Sequence, residues 1–238
     1  MHGLRLMIVG GAAGIGLATA RLAQSGGARV ALIDRQSGPD GLPTFTADVR
    51  DRAAVDAAVD ASAAALGGLD ALVFSAGVDM VKPLAEIADE DWQRLIDINL
   101  TGAMRVCRAA LPHFAASGGS IVLVSSGAGL RPLHERTAYC ASKAGLAMLA
   151  KTLALELAPL GIRANAICPG AVDTALFRSG LEGVPDIDAA MAEVRARYAL
   201  ARVAQPEEIA RAILFLAGPH ASYVTGIAMP VDGGRTFH

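Results

Sequence analysis

A tyrosine and a lysine stand four positions apart in the segment TAYCASKAG, residues 137–145. The small residues around them predict a helix, so Tyr139 and Lys143 would lie one turn apart on the same face, within reach of each other. A phenol beside an ammonium group suits acid–base chemistry, because a nearby positive charge favours the phenolate. The pair is also compatible with a packed tyrosine beside a lysine whose charged end reaches solvent. This segment alone leaves both interpretations open.

Short apolar runs alternate with longer, alanine-rich segments along the whole chain. Near-continuous apolar strands between helices are typical of a parallel sheet that helices cover on both faces. The predicted strands are 4–9, 28–33, 69–75, 120–126 and 162–168, and the predicted helices are 15–25, 51–65, 89–116, 138–158 and 206–217. We find no internal repeat, linker or shift in composition. The pattern therefore predicts a single α/β domain over residues 1–238.

The composition argues against several classes of protein. Hydrophobic residues make up 53% of the chain and charged residues 18%, which fits a large buried core and argues against disorder. The net charge is −2 and the basic residues are scattered, so we expect no nucleic-acid partner. No signal-peptide pattern and no apolar run of roughly 18 residues is present, so we expect a cytoplasmic protein without membrane contact. Three scattered cysteines fit a reducing compartment, and the histidines lack metal-ligand spacing, so we expect no metal.

The sequence VGGAAGIG, residues 9–16, closes the first predicted strand and opens a helix. Gly10, Gly14 and Gly16 allow a tight turn, close approach of the backbone to a phosphate, and close packing of helix on strand. The second strand ends in Asp34, whose carboxylate can accept hydrogen bonds from ribose hydroxyls and would repel a 2′-phosphate. These features predict a Rossmann-type, doubly wound sheet that binds a dinucleotide, NAD rather than NADP.

Two further segments belong to the same edge of the predicted sheet. ADV (47–49) and SAG (75–77) close the next two strands, and the ligand of a doubly wound sheet lies at the carboxyl ends of its strands. These segments and the glycine loop complete the predicted cofactor site, whose further residues are Ile15, Asp48, Val49, Ala76 and Gly77.

Ser126 ends the fourth predicted strand, 13 positions before Tyr139. With this serine, the chain resembles the short-chain dehydrogenase/reductase family over essentially its whole length. The features that carry the resemblance are the glycine loop, Asp34, Asn99 in DINLTG, Ser126, the Tyr139-x-x-x-Lys143 pair, PGAVDT at 169–174 and VDGG at 231–234. Several motifs in the family's order are far more specific than any one of them.

The resemblance implies an NAD-dependent oxidoreductase that interconverts a secondary alcohol and a ketone. Tyr139 would be the acid–base group, with its ordinary pKa of about 10 lowered by Lys143 and by the oxidised nicotinamide. Ser126 would bind the substrate oxygen, and Lys143 would also bind the nicotinamide ribose. The family's pattern further implies a water anchored by Asn99 that connects Lys143 to solvent. The opening pair is thereby interpreted as catalytic.

The resemblance extends to the rest of the cofactor site and to assembly. Val172 and Thr174 match the positions that orient the nicotinamide carboxamide. By analogy with the family, the helices at 89–116 and 138–158 would form the contacts of a homotetramer.

The sequence departs from the family's pattern in three places. Val9 stands where a threonine usually precedes the first loop glycine, and FSAG (74–77) replaces Asn-Asn-Ala-Gly. The connection RQSGPDGL (35–42) is too short and too rich in Gly and Pro for the usual crossover helix. The adenine side of the cleft is therefore expected to be more open.

Three arginines suggest the class of substrate. Arg136 stands three residues before Tyr139, Arg178 follows PGAVDT, and Arg197 lies where the family's substrate lid, here about 175–198, rejoins the body. Converging guanidinium groups would suit a carboxylate, which predicts a small hydroxy acid such as a 3-hydroxybutyrate-like or 2-keto-3-deoxy sugar acid substrate. The alternative is that each arginine is an ordinary solvated surface residue.

Two other functions stay open at this point. Arg35 beside Asp34 is compatible with an NADPH-dependent carbonyl or 3-oxoacyl reductase. A catalytically inactive dinucleotide-binding module with a regulatory role is the alternative of another class. The presence of all four catalytic side chains, Asn99, Ser126, Tyr139 and Lys143, favours an enzyme.

Overall fold

The computed structural model describes residues 1–39, 41–181 and 183–237. Seven strands form one parallel sheet in the order β3-β2-β1-β4-β5-β6-β7. They are β1 Arg5–Val9, β2 Arg29–Asp34, β3 Thr44–Thr46, β4 Ala71–Phe74, β5 Gly119–Val124, β6 Ile162–Pro169 and β7 Ala228–Val231. The strand order reverses between β1 and β4, and ligands of open α/β sheets bind at such a switch point. The predicted doubly wound α/β fold is confirmed.

Helices cover both faces of this sheet. They are α1 Gly14–Ser25, α2 Arg52–Leu66, α3 Asp89–Ile96, α4 Gly102–Ala110, α5 Thr137–Leu157, α6 Ala175–Ser179, α7 Ile187–Ala196 and α8 Pro206–Ala217. Because side chains alternate along a strand, Met7 and Val9 of β1 pack under α2, α4 and α5, whereas Leu6 and Ile8 pack under α1 and α8. All four side chains are buried. No helix in the described part of the chain is long and apolar enough to cross a membrane.

Strand β7, helices α6 and α7 and the break in one long helix were not predicted, and β3 was implied only by the segment ADV that follows it. β3 and β7 have only three and four residues, and β7 contains Pro230, so neither carries a clear strand pattern. The helix predicted over 89–116 is divided by a π-helical turn at Asp97–Thr101 and ends in a 3-10 turn at Leu111–His113. Pro112 explains that ending, since proline lacks the N–H that a continuing helix needs.

The connection from β2 to β3 contains no helix among its described residues; Asp40 lies outside them. Leu42 is buried in the same hydrophobic cluster as Leu32 of β2. Gly38 lies so close to Thr44 that a side chain there would overlap the threonine hydroxyl. A short loop pressed onto the strand therefore replaces the helix, as its length predicted.

Candidate active site

A cleft of about 600 Å³ opens at the carboxyl ends of β1, β4, β5 and β6. Residues that end or follow these strands line it, among them Val9, Ser75, Ser126 and Pro169. The helices α6 and α7 contribute Phe177 and other residues to the outer wall. The cleft is therefore placed where the strand order predicts a ligand.

The glycine loop forms the floor of the cleft near β1. Gly10 has a φ of +77° and faces the backbone of Ala76 so closely that a Cβ would overlap it. Gly16 lies against the carbonyl oxygen of Gly10, which also leaves no room for a Cβ. Helix α1 begins at Gly14 without a side-chain cap, so its first N–H groups are available to a bound anion. This loop fits the pyrophosphate of a dinucleotide.

The other predicted cofactor residues surround the same floor. Ile15, Asp48, Val49, Ala76 and Gly77 all line the cleft. The pKa of Asp48 is lowered, mainly by hydrogen bonds from Arg50 and to a smaller extent by the charge of Arg35. The departures at Val9 and Phe74 leave both side chains in the buried core. The predicted set is thus brought together in one place.

Asp34 lies at the end of β2 beside the glycine loop. Its Oδ2 accepts a hydrogen bond from the N–H of Ala12 at 3.0 Å, and its Oδ1 accepts one from the N–H of Gln36 at 3.1 Å. The carboxylate is half-buried and lines the cleft, and each oxygen retains a free lone pair. It can therefore accept hydrogen bonds from two ribose hydroxyls.

Ser126 and Tyr139 meet on the opposite side of the cleft. Ser126 follows β5, and its Oγ accepts a hydrogen bond from the N–H of Ala128 at 3.0 Å, which leaves its hydroxyl proton free to donate. Tyr139 lies in the first turn of α5. Burial raises its pKa to about 12, and a hydrogen bond with Ser126 partly offsets this. At neutral pH Tyr139 therefore carries its proton.

Lys143 lies one turn after Tyr139, as predicted, and only 5% of it is exposed. Its Nζ donates to the carbonyl oxygen of Val124 at 2.9 Å and lies 5.7 Å from the centre of the Tyr139 ring. Burial lowers the pKa of Lys143 to about 8, and the charge of Asp79 partly opposes that shift. The expectation that Lys143 and a bound oxidised nicotinamide together lower the pKa of Tyr139 stays a prediction, and burial acts on that pKa in the opposite direction.

Asn99 is fully buried within the π-helical turn, and its side chain is satisfied by protein groups. Its Oδ1 accepts from the N–H of Val78 at 2.8 Å, and its Nδ2 donates to the carbonyl of Val78 at 2.9 Å and to Ser142 Oγ at 3.0 Å. A Cβ built on Gly77 would lie 3.3 Å from both Asn99 Oδ1 and Lys143 Nζ, so the two side chains share one neighbourhood. Asn99 joins the loop after β4 to α5 beside the lysine.

Val172 and Thr174 lie in the wall of the cleft, and Thr174 is next to the glycine loop. Val172 is buried in the cleft wall, and a Cβ built on Gly14 would lie 3.3 Å from Thr174 Cγ2. The Oγ1 of Thr174 caps α6 by accepting from the N–H of Phe177 at 3.2 Å. Both residues therefore line the same cleft as the glycine loop.

Of the three arginines predicted to converge on the cleft, Arg136 and Arg197 line it and Arg178 does not. Arg178 forms two hydrogen bonds with Asp173, at 2.7 and 2.9 Å, and lines a separate surface depression beside α1. Its assignment to the substrate site is wrong, because the carboxylate five positions earlier holds it outward. Arg136 lines the cleft but forms an ion pair with Asp79 at 2.6 Å. Arg197 is exposed at the cleft, with no carboxylate within ion-pair distance among the described residues.

Three residues of the cleft were not found from the sequence. Asp79 is 17% exposed at its side chain and pairs with Arg136. The hydroxyl of Tyr198 accepts from the N–H of Ala171 at 2.9 Å and ties the end of the α6–α7 segment to the loop after β6. Arg235 is buried and reaches the loop that follows Ser126. Of these three residues, only Asp79 carries a signal in the sequence, because it is an acidic residue two positions after Gly77.

Metal-ligand clusters are not a feature of this site. Among residues 1–39, 41–181 and 183–237, no group of three or more His, Cys, Asp or Glu side chains is arranged to hold a metal ion. Cys107 and Cys168 are buried, Cys140 is half-buried, and all three are free thiols.

Comparison with known proteins identifies the relatives of this arrangement. A family model described as Enoyl-(Acyl carrier protein) reductase matches residues 10–236. The chain is 41% identical over 244 residues to cis-4-hydroxycyclohexanecarboxylate dehydrogenase of Sinomonas cyclohexanicum, with 97% of this chain and 95% of that protein covered. It is 35% identical over 247 residues to a 3-oxoacyl-(acyl-carrier-protein) reductase of Thermotoga maritima, with 98% of each covered.

A solved structure matches the fold over nearly the full length. The ligand-free aldohexose dehydrogenase of Thermoplasma acidophilum superimposes with a TM-score of 0.93 at 31% sequence identity. The match covers 99% of this chain and 95% of that chain. The relatives are named as dehydrogenases and a reductase, and the solved structure shares the fold described above.

Proposed function

The chain belongs to the short-chain dehydrogenase/reductase family of secondary-alcohol oxidoreductases, and from that premise we propose that it oxidises a small hydroxy acid with NAD. The observation that carries this proposal is the contact of Ser126 with Tyr139, one helical turn from buried Lys143. The three side chains stand at the end of the cleft whose floor is the glycine loop. We assign the whole chain, 1–238, to one domain with a substrate lid at about 175–198.

The chain's own residues account for the proton part of the reaction. Ser126 donates its free hydroxyl proton to the substrate oxygen and holds that oxygen near Tyr139. In oxidation, the Tyr139 phenolate takes the proton of the alcohol; in ketone reduction, the phenol returns it. Bound NAD supplies the acceptor for the hydride. Because burial raises the pKa of Tyr139, alkaline pH favours the oxidation direction and neutral pH favours reduction.

Lys143 and Asn99 complete the proposed catalytic set. Lys143 is held by Val124 with its ammonium beside the Tyr139 ring, where it can donate to ribose hydroxyls and stabilise a phenolate. Asn99 fixes the loop after β4 against α5 through Val78. The side-chain amide is occupied by these contacts, so we assign Asn99 the role of placing Gly77 and Lys143 relative to each other.

The carboxylate of Asp34 supports NAD as the cofactor. Two backbone N–H groups fix it beside the glycine loop, and a 2′-phosphate of NADP would meet its negative charge. The test compares kcat/KM for NAD and NADP in the wild type and in Asp34→Ala. We expect the wild type to have a higher kcat/KM with NAD than with NADP, and we expect the ratio of the two values to be smaller in Asp34→Ala. A wild-type preference for NADP would contradict the assignment.

A carboxylate on the substrate is supported by two observations. Arg197 lies exposed at the cleft, and Arg136 lines it with part of its guanidinium charge balanced by Asp79. The relative from Sinomonas cyclohexanicum is named for a hydroxy acid, cis-4-hydroxycyclohexanecarboxylate. We therefore extend the candidate substrates from 3-hydroxybutyrate-like and 2-keto-3-deoxy sugar acids to alicyclic hydroxy acids.

The experiment pairs each hydroxy acid with its methyl ester and follows NADH absorbance. The pairs are cis-4-hydroxycyclohexanecarboxylate, 3-hydroxybutyrate and their esters. We expect a higher kcat/KM for the acids, lost in Arg197→Ala and kept in Arg178→Ala, since Arg178 faces away from the cleft. Equal activity on acid and ester would remove the carboxylate from the proposal. The absence of any NAD-linked turnover would favour the inactive regulatory module.

A second candidate is an NADPH-dependent carbonyl or 3-oxoacyl reductase. Arg35 lines the cleft next to Asp34, where its charge could meet a 2′-phosphate, and one relative is named a 3-oxoacyl reductase. Asp34 opposes this assignment, because its carboxylate is hydrogen-bonded to the glycine loop and its negative charge would repel a 2′-phosphate. The discriminating measurement is reduction of a 3-oxoacyl thioester with NADPH, with an enoyl thioester as a parallel substrate for the reaction that names the family model.

We also propose a homotetramer, formed through α4 and α5. Met148 and Leu155 on α5 are 60% and 81% exposed, and Met104 on α4 is 37% exposed. Exposed apolar side chains on neighbouring helices fit a self-association surface. Sedimentation equilibrium of the wild type and of Leu155→Glu tests this: we expect a tetramer that the charge dissociates. A wild-type monomer would contradict it.

A further inference from the structure

Arg235, the fourth residue from the end of the sequence, is 5% exposed, yet it faces the active-site cleft. Its Nη1 donates to the carbonyl of Gly127 at 3.1 Å and to that of Arg131 at 3.0 Å, and its Nη2 donates to the carbonyl of Pro132 at 2.9 Å. In the part of the chain that the structure describes, no carboxylate lies within ion-pair distance of this guanidinium. A buried charge held only by backbone carbonyls is unfavourable as packing alone.

The three carbonyls belong to the loop that separates Ser126 from Tyr139. Gly127 directly follows the serine, and the turn at Gly127–Gly129 supplies the N–H of Ala128 that orients Ser126 Oγ. Arg235 therefore holds the outer side of the turn whose inner side orients the serine hydroxyl.

The opposite side of this turn is fixed to α5. The Oγ of Ser125 donates to the carbonyl of Lys143 at 2.6 Å. Gly129 lies so close to the backbone of Lys143 that a Cβ would overlap it. The turn is thus held between the helix that carries Tyr139 and the guanidinium of Arg235.

The C-terminal segment is itself braced. Asp232 accepts hydrogen bonds from the N–H of Gly234 at 3.0 Å and from the N–H and Oγ1 of Thr236 at 3.0 and 2.6 Å. Arg131 in turn donates to the carbonyl of Arg235 at 3.0 Å. Residues 232–236 form a closed turn that presents the guanidinium to the loop.

We propose that Arg235 is a positioning residue that sets the distance between Ser126 and Tyr139 through Gly127, Arg131 and Pro132. This rests on the proposed catalytic role of Ser126. A guanidinium can span three carbonyls at once because its planar fork carries five N–H groups, whereas a lysine ammonium is a compact donor. The role therefore requires an arginine.

The first test compares Arg235→Ala and Arg235→Lys with the wild type. We expect kcat to fall about 100-fold in Arg235→Ala, since a shift of about 1 Å in a catalytic group has that effect, while NAD binding stays within about twofold. Arg235→Lys should recover little of the loss. Arg202→Ala is the matched control: this exposed arginine pairs with Glu208 outside the cleft and should keep wild-type kcat. A folded Arg235→Ala with unchanged kcat would overturn the proposal.

Chemical rescue separates positioning from folding. Guanidinium at non-denaturing concentration should restore part of the kcat of Arg235→Ala, and methylammonium at the same concentration should not. Restoration by neither ion, with kcat and NAD binding reduced in parallel, would indicate a general loss of structure and overturn the proposal.

Hydrogen exchange tests the loop without relying on turnover. Amides of residues 127–131 should exchange faster in Arg235→Ala, and those of α8 should not change. Unchanged exchange in the loop would refute its dependence on Arg235 even if the enzyme is active. Conversely, a wild type that oxidises no alcohol would contradict the proposed function while the exchange result still decides the role of Arg235.

Discussion

Because Lys143 is buried, we predict that its charge lowers the free energy of unfolding of the protein. The ammonium is almost excluded from solvent and is held by one carbonyl, that of Val124, so its charge is poorly compensated. The substitution Lys143→Met keeps the length of the side chain and removes the charge. We expect the variant to be more stable than the wild type at pH 7 and to lose oxidoreductase activity.

The magnitude follows from the pKa of Lys143, which burial lowers from 10.5 to about 8. At about 1.4 kcal/mol per pKa unit, this corresponds to about 3 kcal/mol against folding when the lysine is charged. Loss of the hydrogen bond to Val124 offsets about 1 kcal/mol of the gain. The net increase in the free energy of unfolding is about 2 kcal/mol at pH 7, or about 4–8 °C in Tm for a chain of this length.

The sign of the pH dependence is fixed by the same pKa. Below about pH 8 the lysine is protonated in the folded and unfolded chains, so the full penalty is present. Between about pH 8 and 10.5 the unfolded chain holds more protons than the folded one, and wild-type stability rises relative to Lys143→Met. The gap should shrink by about 1.4 kcal/mol at pH 9 and nearly close at pH 10.

Thermal unfolding of both proteins at pH 7, 8, 9 and 10 measures this gap. Lys151→Met, on the exposed face of the same helix, is the matched control and should leave Tm within about 1 °C of the wild type. A Lys143→Met variant that is less stable than the wild type at pH 7, or a gap that does not change with pH, would refute the reasoning.

Two further substitutions probe the cleft. Tyr139→Phe should reduce kcat about 10³-fold while calorimetry still shows NAD binding, because only the proton-transferring hydroxyl is removed; near-normal turnover would contradict its acid–base role. Asp79→Asn should move the pH profile of alcohol oxidation to lower pH, because the charge of Asp79 raises the pKa of Tyr139, and should lower KM for hydroxy acids by releasing Arg136. A profile and KM that match the wild type would show that the ion pair does not affect the reaction.

Local order along the chain explains what could be predicted from the sequence. The glycine loop and Asp34 could be placed together because they belong to one βαβ unit. Tyr139 and Lys143 could be placed together because they lie one helical turn apart. Ser126 was placed because it ends a strand on the same sheet edge. In each case the side chain's position follows from its place in a local element, whereas its catalytic role was implied by the resemblance to the family.

Contacts between distant parts of the chain explain what could not be predicted. Arg235 meets Gly127 across 108 positions of sequence, and no periodicity records such a meeting. Arg178 was assigned to the wrong surface. Its place in the sequence predicts that it lies on the lid, but it does not predict that its side chain pairs with Asp173. The short strand β7 was missed for a related reason, since its pairing with β6, not its own residue pattern, makes it a strand.

Burial shifts the two central groups of the cleft in opposite directions. It raises the pKa of Tyr139 to about 12 and lowers that of Lys143 to about 8, because in each case the charged form is the one that loses solvation. Near pH 7 the cleft therefore holds a neutral phenol beside an ammonium, which is the arrangement of a proton donor. Raising the pH discharges Lys143 before it ionises Tyr139, and so removes the nearby cation that would stabilise the phenolate. The two titrations therefore oppose each other in the oxidation direction: alkaline pH forms the Tyr139 phenolate, and the loss of the Lys143 charge above about pH 8 makes that phenolate harder to form.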